Sequence, residues 1–310
     1  MFIHTMFIIL TASKISCCLS ILYNSPFNLT CHLNSAIFLI ISHISLRAPW
    51  SMKNKFFICS PLLKRGNYGS YFRNDKEKGN YIIMDIQKWA EDLVNEVCEK
   101  WETSEDKYGF SESGFRVFYS PVHLNPDLMI IGYNPDNDDK PFSKEDDSQI
   151  PDFHEYLYHK SKIARKMIYL FESIEKNDWL ERSIKLNLLF FKSENEAQWE
   201  TLDQALRNEL ETFCFKKIND IIDTIMPRYI ITEGLNVFDI LINSVLMGCE
   251  KPEVKIGVGG RKIYAKSRYG HSQIIGLVHL TKDRISYPDW NIIKECLKDD
   301  LKDISQTLLH

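Results

Sequence analysis

The sequence predicts an α/β fold in three layers, with a central, mostly parallel four-stranded sheet flanked by helices, and three observations lead there. First, four short apolar runs stand out at residues 128–132, 186–191, 229–232 and 274–279, each closed by polar or turn-forming residues. Continuous runs of this length suit strands buried on both faces. Second, stretches of helical character separate them, at residues 154–174, 199–225 and 237–246. Alternation of strand and helix is the pattern of a parallel sheet with covering helices. Third, 310 residues suffice to bury a sizeable core, so neither disulfides nor a metal is demanded for folding.

The elements follow in order from Met84. Ile86, Trp89, Ala90, Leu93, Val94, Val97 and Trp101 step by three and four, which predicts an amphipathic helix ending near Thr103. A polar stretch with Gly109 and Gly114 follows, and residues 115–119 read as a short strand before Pro121. After the third apolar run, Gly257, Gly259 and Gly260 precede the alternating Lys262, Ile263, Tyr264, Ala265, Lys266, which reads as a turn into an edge strand. No helix follows those glycines, so they are not a dinucleotide fingerprint. Trp290, Ile293, Cys296, Leu297 and Leu301 predict a final amphipathic helix.

The first 83 residues differ in composition. Residues 1–74 contain no Asp or Glu, although the chain has 42. A transmembrane span is a poor fit, because Asn24, Pro26, Asn28, His32 and Asn34 interrupt the long uncharged stretch. A secretory signal is disfavoured by Lys14 and by the want of a small-residue cleavage site. The expectation is a poorly ordered or non-native extension, with the functional domain spanning residues 84–310. Cys98, Cys214, Cys249 and Cys296 are scattered, and no C-x-x-C pair occurs, as suits a reducing, cytoplasmic setting with buried small hydrophobes.

From residue 84 onward there are 29 basic and 40 acidic residues, a net of −11. A nucleic-acid enzyme this acidic must concentrate its positive charge locally, since phosphate neutralisation carries non-specific binding. Residues 251–284 do so, with eight Lys or Arg against two acids. An ordinary charged strand is the competing explanation.

In an open parallel sheet, ligands bind beyond the carboxyl ends of the strands. There the first run ends Gly132-Tyr133-Asn134-Pro135, the second holds Asn187, the third ends Glu233-Gly234 and the fourth ends His279-Leu280-Thr281. No P-loop, H-E-x-x-H motif or Ser-His-Asp order is present. The acidic run 136–139 is no calcium loop, because Pro141 and Asp147 occupy positions that need Gly and Glu.

Residues 131–135, Ile-Gly-Tyr-Asn-Pro, resemble the Gly-x-Asn-Pro motif of the uracil-DNA glycosylase superfamily, and residues 278–281, Val-His-Leu-Thr, resemble its His-containing motif. Residues 186–190 and 227–234 are similar to that family's middle and third strands, in the same order. The resemblance implies an enzyme that removes a base from DNA, working as a monomer, with no cofactor, no metal and no membrane. It implies that His279 donates to the departing base and that Asn134 positions the attacking water. Asn187 would read the base edge, with Tyr133 or Phe142 stacking on it or simply packing, and Asp136 at the pocket mouth. Arg261, Lys262, Lys282 and Arg284 would hold DNA phosphates.

The chain departs from the family pattern at Asp136, where Gly or Tyr is common, and at Leu280, where Pro is common. That leaves open a bulkier base, such as a modified cytosine of viral DNA, and with it antiviral defence rather than repair. A catalytically inert binding module is a further alternative.

Overall fold

The four apolar runs mark four parallel strands lying side by side, β3 (Leu128–Gly132), β4 (Ile184–Asn187), β5 (Tyr229–Glu233) and β8 (Ser272–Leu277), although β4 starts earlier than the run at 186–191 and holds only its first two residues. Their order is β4-β3-β5-β8, every neighbouring pair running in one direction. The structure is a computed structural model that describes residues 70–74, 81–108, 114–135, 142, 149–158, 161–193, 196–281 and 284–301. All of these belong to the unit spanning Asn67–His310.

The sheet has six strands rather than the expected four. β7 (Lys262–Tyr269) pairs antiparallel with β8, and β6 (Glu253–Ile256) pairs antiparallel with β7 and forms the edge. The stretch expected to be an edge strand is therefore internal. The physical reason for the miscount is incomplete burial. All four residues of β6 are exposed, and β7 mixes buried and exposed positions. Such strands carry no continuous apolar run.

Alternation along each central strand feeds two cores, one per face. Met129, Ile131, Ile230 and Ile274 pack with α1 (Ile86–Tyr108), α6 (Gln204–Ile225) and α7 (Leu235–Ile240), which continues as a π-helical turn over Leu241–Val245. Leu128, Ile130, Ile231 and Ile275 pack instead with α3 (Lys162–Ser173), α4 (Asn177–Glu181) and α8 (Tyr287–Asp300). Short helices α2 (Glu155–Tyr158) and α5 (Glu196–Glu200) complete the set. The expected helix at 154–174 is thus α2 plus α3, and that at 199–225 is carried by α6. Among the described residues, no helix is long and apolar enough to cross a membrane.

Local chemistry sets the boundaries. Asp203 starts α6 by accepting from the Ala205 and Leu206 N–H groups at 3.0 and 3.2 Å, and Met226 ends it in the left-handed region at φ 54°. β1 (Ser70–Asn74) and β2 (Tyr81–Asp85) form an antiparallel hairpin just upstream of α1. The Asp85 carboxylate then accepts from the Gln87 and Lys88 N–H groups, so α1 opens at Ile86 and runs past Thr103 to Tyr108. Residues 115–118 run antiparallel to the chain at β4 through bridges Phe115 to Phe191 and Phe118 to Leu186.

Candidate functional site

At the carboxyl edge, the strand ends bring together a buried polar cluster built around the absence of a side chain. A Cβ on Gly132 would lie 2.2 Å from Asn187 Oδ1, 2.8 Å from Glu233 Oε2 and 3.0 Å from Lys185 Nζ. The Lys185 ammonium donates to Leu186 O and Asn187 Oδ1, both at 2.9 Å, and pairs with Glu233 Oε2 at 3.2 Å. It also sits 5.3 Å from the Tyr119 ring centroid and 5.6 Å from that of Tyr156. The Tyr156 hydroxyl donates to the other Glu233 oxygen. With the Lys185 and Glu233 side chains only 3% and 8% exposed, this is a desolvated ion pair, tolerable because hydrogen bonds saturate it.

Asn187 is held from both sides. Ammonium groups only donate, so the contact with Lys185 fixes which amide atom is oxygen. Its Nδ2 donates to the Tyr119 hydroxyl at 3.2 Å. One lone pair and one N–H remain on the amide after these contacts. Behind the cluster, His154 accepts at Nδ1 from the Tyr156 N–H at 3.2 Å and meets Ser183 Oγ through Nε2 at 2.9 Å. Burial, reinforced by the nearby Lys185 charge, pulls its pKa down to about 4, so the ring is neutral.

Asn134 and His279 stand on the loops leaving β3 and β8. The half-buried Asn134 donates from Nδ2 to Ser193 Oγ at 2.7 Å and to Pro135 O at 3.3 Å. A carbonyl only accepts, so the nitrogen faces that way and Oδ1 faces the other. Among the described residues, no donor reaches this Oδ1. His279 accepts at Nδ1 from the Thr281 N–H at 3.3 Å, an arrangement that puts a ring proton on Nε2. β5 alone separates β3 from β8, so the two loops spring from strands ~10 Å apart at ordinary sheet spacing. The arrangement puts an amide acceptor on the loop after β3 and an imidazole on the loop after β8.

Tyr133 is half-buried and packs against the α1/α6 core. Phe142 packs in an aromatic group, 5.3 Å from Trp101 and 5.2 Å from Phe115 between centroids, with Lys192 over its ring. Asp136 and Lys282 lie outside the described residues. Arg261 donates to the Arg284 carbonyl, which joins the start of β7 to the loop after β8, and the exposed Lys262 begins β7 at the same edge. The rest of the basic cluster disperses. Lys266 is tied to Asp300 at 3.1 Å and Glu253 at 3.4 Å, Arg268 lies towards the opposite end of β7, and the Tyr264 hydroxyl is buried on Asp300.

Sequence reasoning gave Lys185, Tyr119, Tyr156 and His154 no part, and left Glu233 without a role. A legible signal existed for one of them, since a lysine inside an apolar strand must find an anion or leave the core. Among the described residues, no three His, Cys, Asp or Glu side chains are grouped to hold a metal. The chain matches no protein-family model and no curated protein sequence.

Proposed function

We propose that the chain is a monofunctional DNA glycosylase that hydrolyses the N-glycosidic bond of a base turned out of a DNA strand, leaving an abasic site. One observation carries this reading. The carboxyl edge of a parallel sheet presents an imidazole whose Nδ1 accepts from the Thr281 N–H and an amide oxygen that no donor among the described residues reaches, each within a stretch resembling the uracil-DNA glycosylase motifs. The C1′–N bond breaks with its electron pair passing to the base, which departs as an anion. The His279 Nε2–H donates to the base oxygen as that charge grows, an oxyanion-type contribution of ~3 kcal/mol in a dry site. Water adds to C1′ and releases its proton to solvent, its lone pair aimed by a hydrogen bond to Asn134 Oδ1.

An amide orients water but takes no proton, so turnover is expected to be slow beside that of enzymes with a carboxylate in this place. Asn187 reads the flipped base with its remaining donor and acceptor, while Lys185 and Glu233 act as positioning residues behind it. Arg261, Lys262, Lys282 and Arg284 meet phosphates, the enzyme acts as a monomer, and no cofactor or metal enters the scheme. Asp136, which follows Asn134-Pro135 in the sequence at a position where the resembling family often has an aromatic screen, favours a second version in which the base is a hydroxymethylated or glucosylated cytosine of viral DNA.

The test is incubation of the full chain with oligonucleotides carrying uracil or modified cytosine, followed by alkaline cleavage at abasic sites. His279→Ala is expected to slow base release by about a hundredfold or more. Asn134→Ala should also be severe, with thermal melting of both variants unchanged. Normal release by both folded variants would overturn the mechanism and favour an inert binding module.

A further inference from the structure

A second feature of the carboxyl edge lies outside the base pocket. A cleft of about 740 Å³ opens between α3 and the segment joining β8 to α8. Lys162, Arg165, Lys166 and Tyr169 form one wall, and Thr281, Tyr287 and Trp290 belong to the other. The Thr281 N–H is the one that fixes the His279 tautomer, so this cleft shares a loop with the proposed catalytic histidine.

The charges on α3 are exposed. No ion pair within the described residues engages Lys162, Arg165 or Lys166. The first turn of α3 contains no acidic residue, although a helix N-terminus favours anions and disfavours cations. Lys162 and Lys166 are four residues apart, a spacing at which like charges repel on a helix. Lys162 and Arg165 are thus held in the first turn against the local electrostatic preference, with Lys166 beside them on the same wall of the cleft.

The aromatic lining has the complementary character. Tyr169 is stacked with Trp290 at 5.7 Å between centroids and 26° between planes, and Lys166 Nζ lies 5.5 Å above the same indole. Tyr169 is 54% exposed and Tyr287 is 77% exposed, so two large flat faces border the opening. Trp290 itself is buried, and no acceptor among the described residues takes its indole N–H. Exposed cations interleaved with exposed aromatic rings fit a ligand with phosphates and a planar ring.

We propose that this cleft is a strand-binding subsite. It receives an unpaired nucleotide of the same DNA strand, with the phosphates over Lys162, Arg165 and Lys166 and the base against Tyr169 and Tyr287. The inference rests on the glycosylase reading for the identity of the neighbouring pocket, but its binding chemistry is separate. A base stacked in this way cannot also be paired, so the substrate it selects is single-stranded or locally opened DNA.

Fluorescence anisotropy of the full chain with a fluorescein-labelled ten-nucleotide oligothymidylate tests it. The doubly substituted Tyr169→Ala, Tyr287→Ala protein should bind at least ~5-fold more weakly, since stacking on an aromatic side chain is worth that much per base. Because both side chains are exposed, its circular dichroism should be unchanged. Replacing Lys162, Arg165 and Lys166 together with Ala should lower the slope of log affinity against log salt by about 2. Oligothymidylate binding with unaltered affinity and salt slope in both variants, or no binding by the unsubstituted chain, overturns the subsite. Because the probe contains no excisable base, the outcome is independent of catalysis. Loss of binding in both variants, in a chain that releases no base from any substrate, would sustain the subsite while removing the glycosylase reading.

Discussion

Replacing Gly132 by Ala isolates the physical reason for the glycine in the first site motif. Gly132 is not among the glycines with positive φ, so an alanine meets no backbone strain there. On backbone grounds alone, Gly→Ala should then stabilise by ~0.4–1 kcal/mol through the unfolded chain. The new methyl carbon would instead sit 2.2 Å from Asn187 Oδ1, so the amide must retreat by more than ~1 Å to reach an ordinary contact. Asn187 is buried and clasped between Lys185 and Tyr119, and retreat costs it the 2.9 Å bond from the ammonium. Overpacking costs ~1–3 kcal/mol and an unsatisfied buried polar group another ~1–3, so a net loss of about 2–5 kcal/mol is expected. The melting midpoint should fall by about 4–20 °C for a domain of this size. Urea unfolding followed by circular dichroism reads the change directly, with the m-value held constant as the check on two-state behaviour. A double-mutant cycle with Asn187→Ala should recover part of the loss, since it removes the atom struck. A Gly132→Ala protein as stable as the parent would refute the argument, because the predicted sign, and not only the size, would be wrong.

Other perturbations probe the same edge. Lys185→Ala strands the Glu233 carboxylate with Tyr156 as its remaining partner shown here, and should destabilise by about 3–5 kcal/mol; a loss under ~1 kcal/mol in chemical unfolding would show that the pair is better solvated than its burial implies. His154 has a folded pKa of about 4 against 6.5 for the free imidazole, so between these values the unfolded chain binds the extra proton. Its contribution is intact above pH 6.5 and is lost as pH falls towards 4, by up to about 3 kcal/mol. His154→Gln should flatten that part of the stability profile, and an unchanged acid limb would argue against a buried neutral ring.

The parallel half of the sheet was legible because burial on both faces leaves uninterrupted apolar runs, each of which overlaps a strand, although the run at 186–191 shares only Leu186 and Asn187 with β4. The antiparallel half was not. β6 shows four exposed residues, and its partner β7 interrupts its buried positions with the part-buried Lys266 and the exposed Arg268, so neither looks like a core strand. At the site, the order of Asn134, Asn187 and His279 along the chain could be read, and all three do lie at or just beyond strand ends. What each touches could not. Ser193 orients Asn134 from 59 residues away, and Tyr119 holds Asn187 from 68 residues away, contacts set by tertiary packing rather than by spacing. The aromatic packing of Phe142 with Trp101 and Phe115 belongs to the same class of information.

The placement of β8 has a consequence for the order in which the protein can assemble. Its six residues form the last strand made among the described residues, yet they lie between β5 and β7 and hydrogen-bond to both. Until residues 272–277 have left the ribosome, β5 and the β6–β7 hairpin each present an open ladder edge and have no direct pairing with one another. His279 follows that strand immediately, so closure of the sheet and arrival of the imidazole are a single event in synthesis. A chain cut short before residue 272 would therefore lack both continuity and chemistry, and its two exposed edges would be natural templates for aggregation.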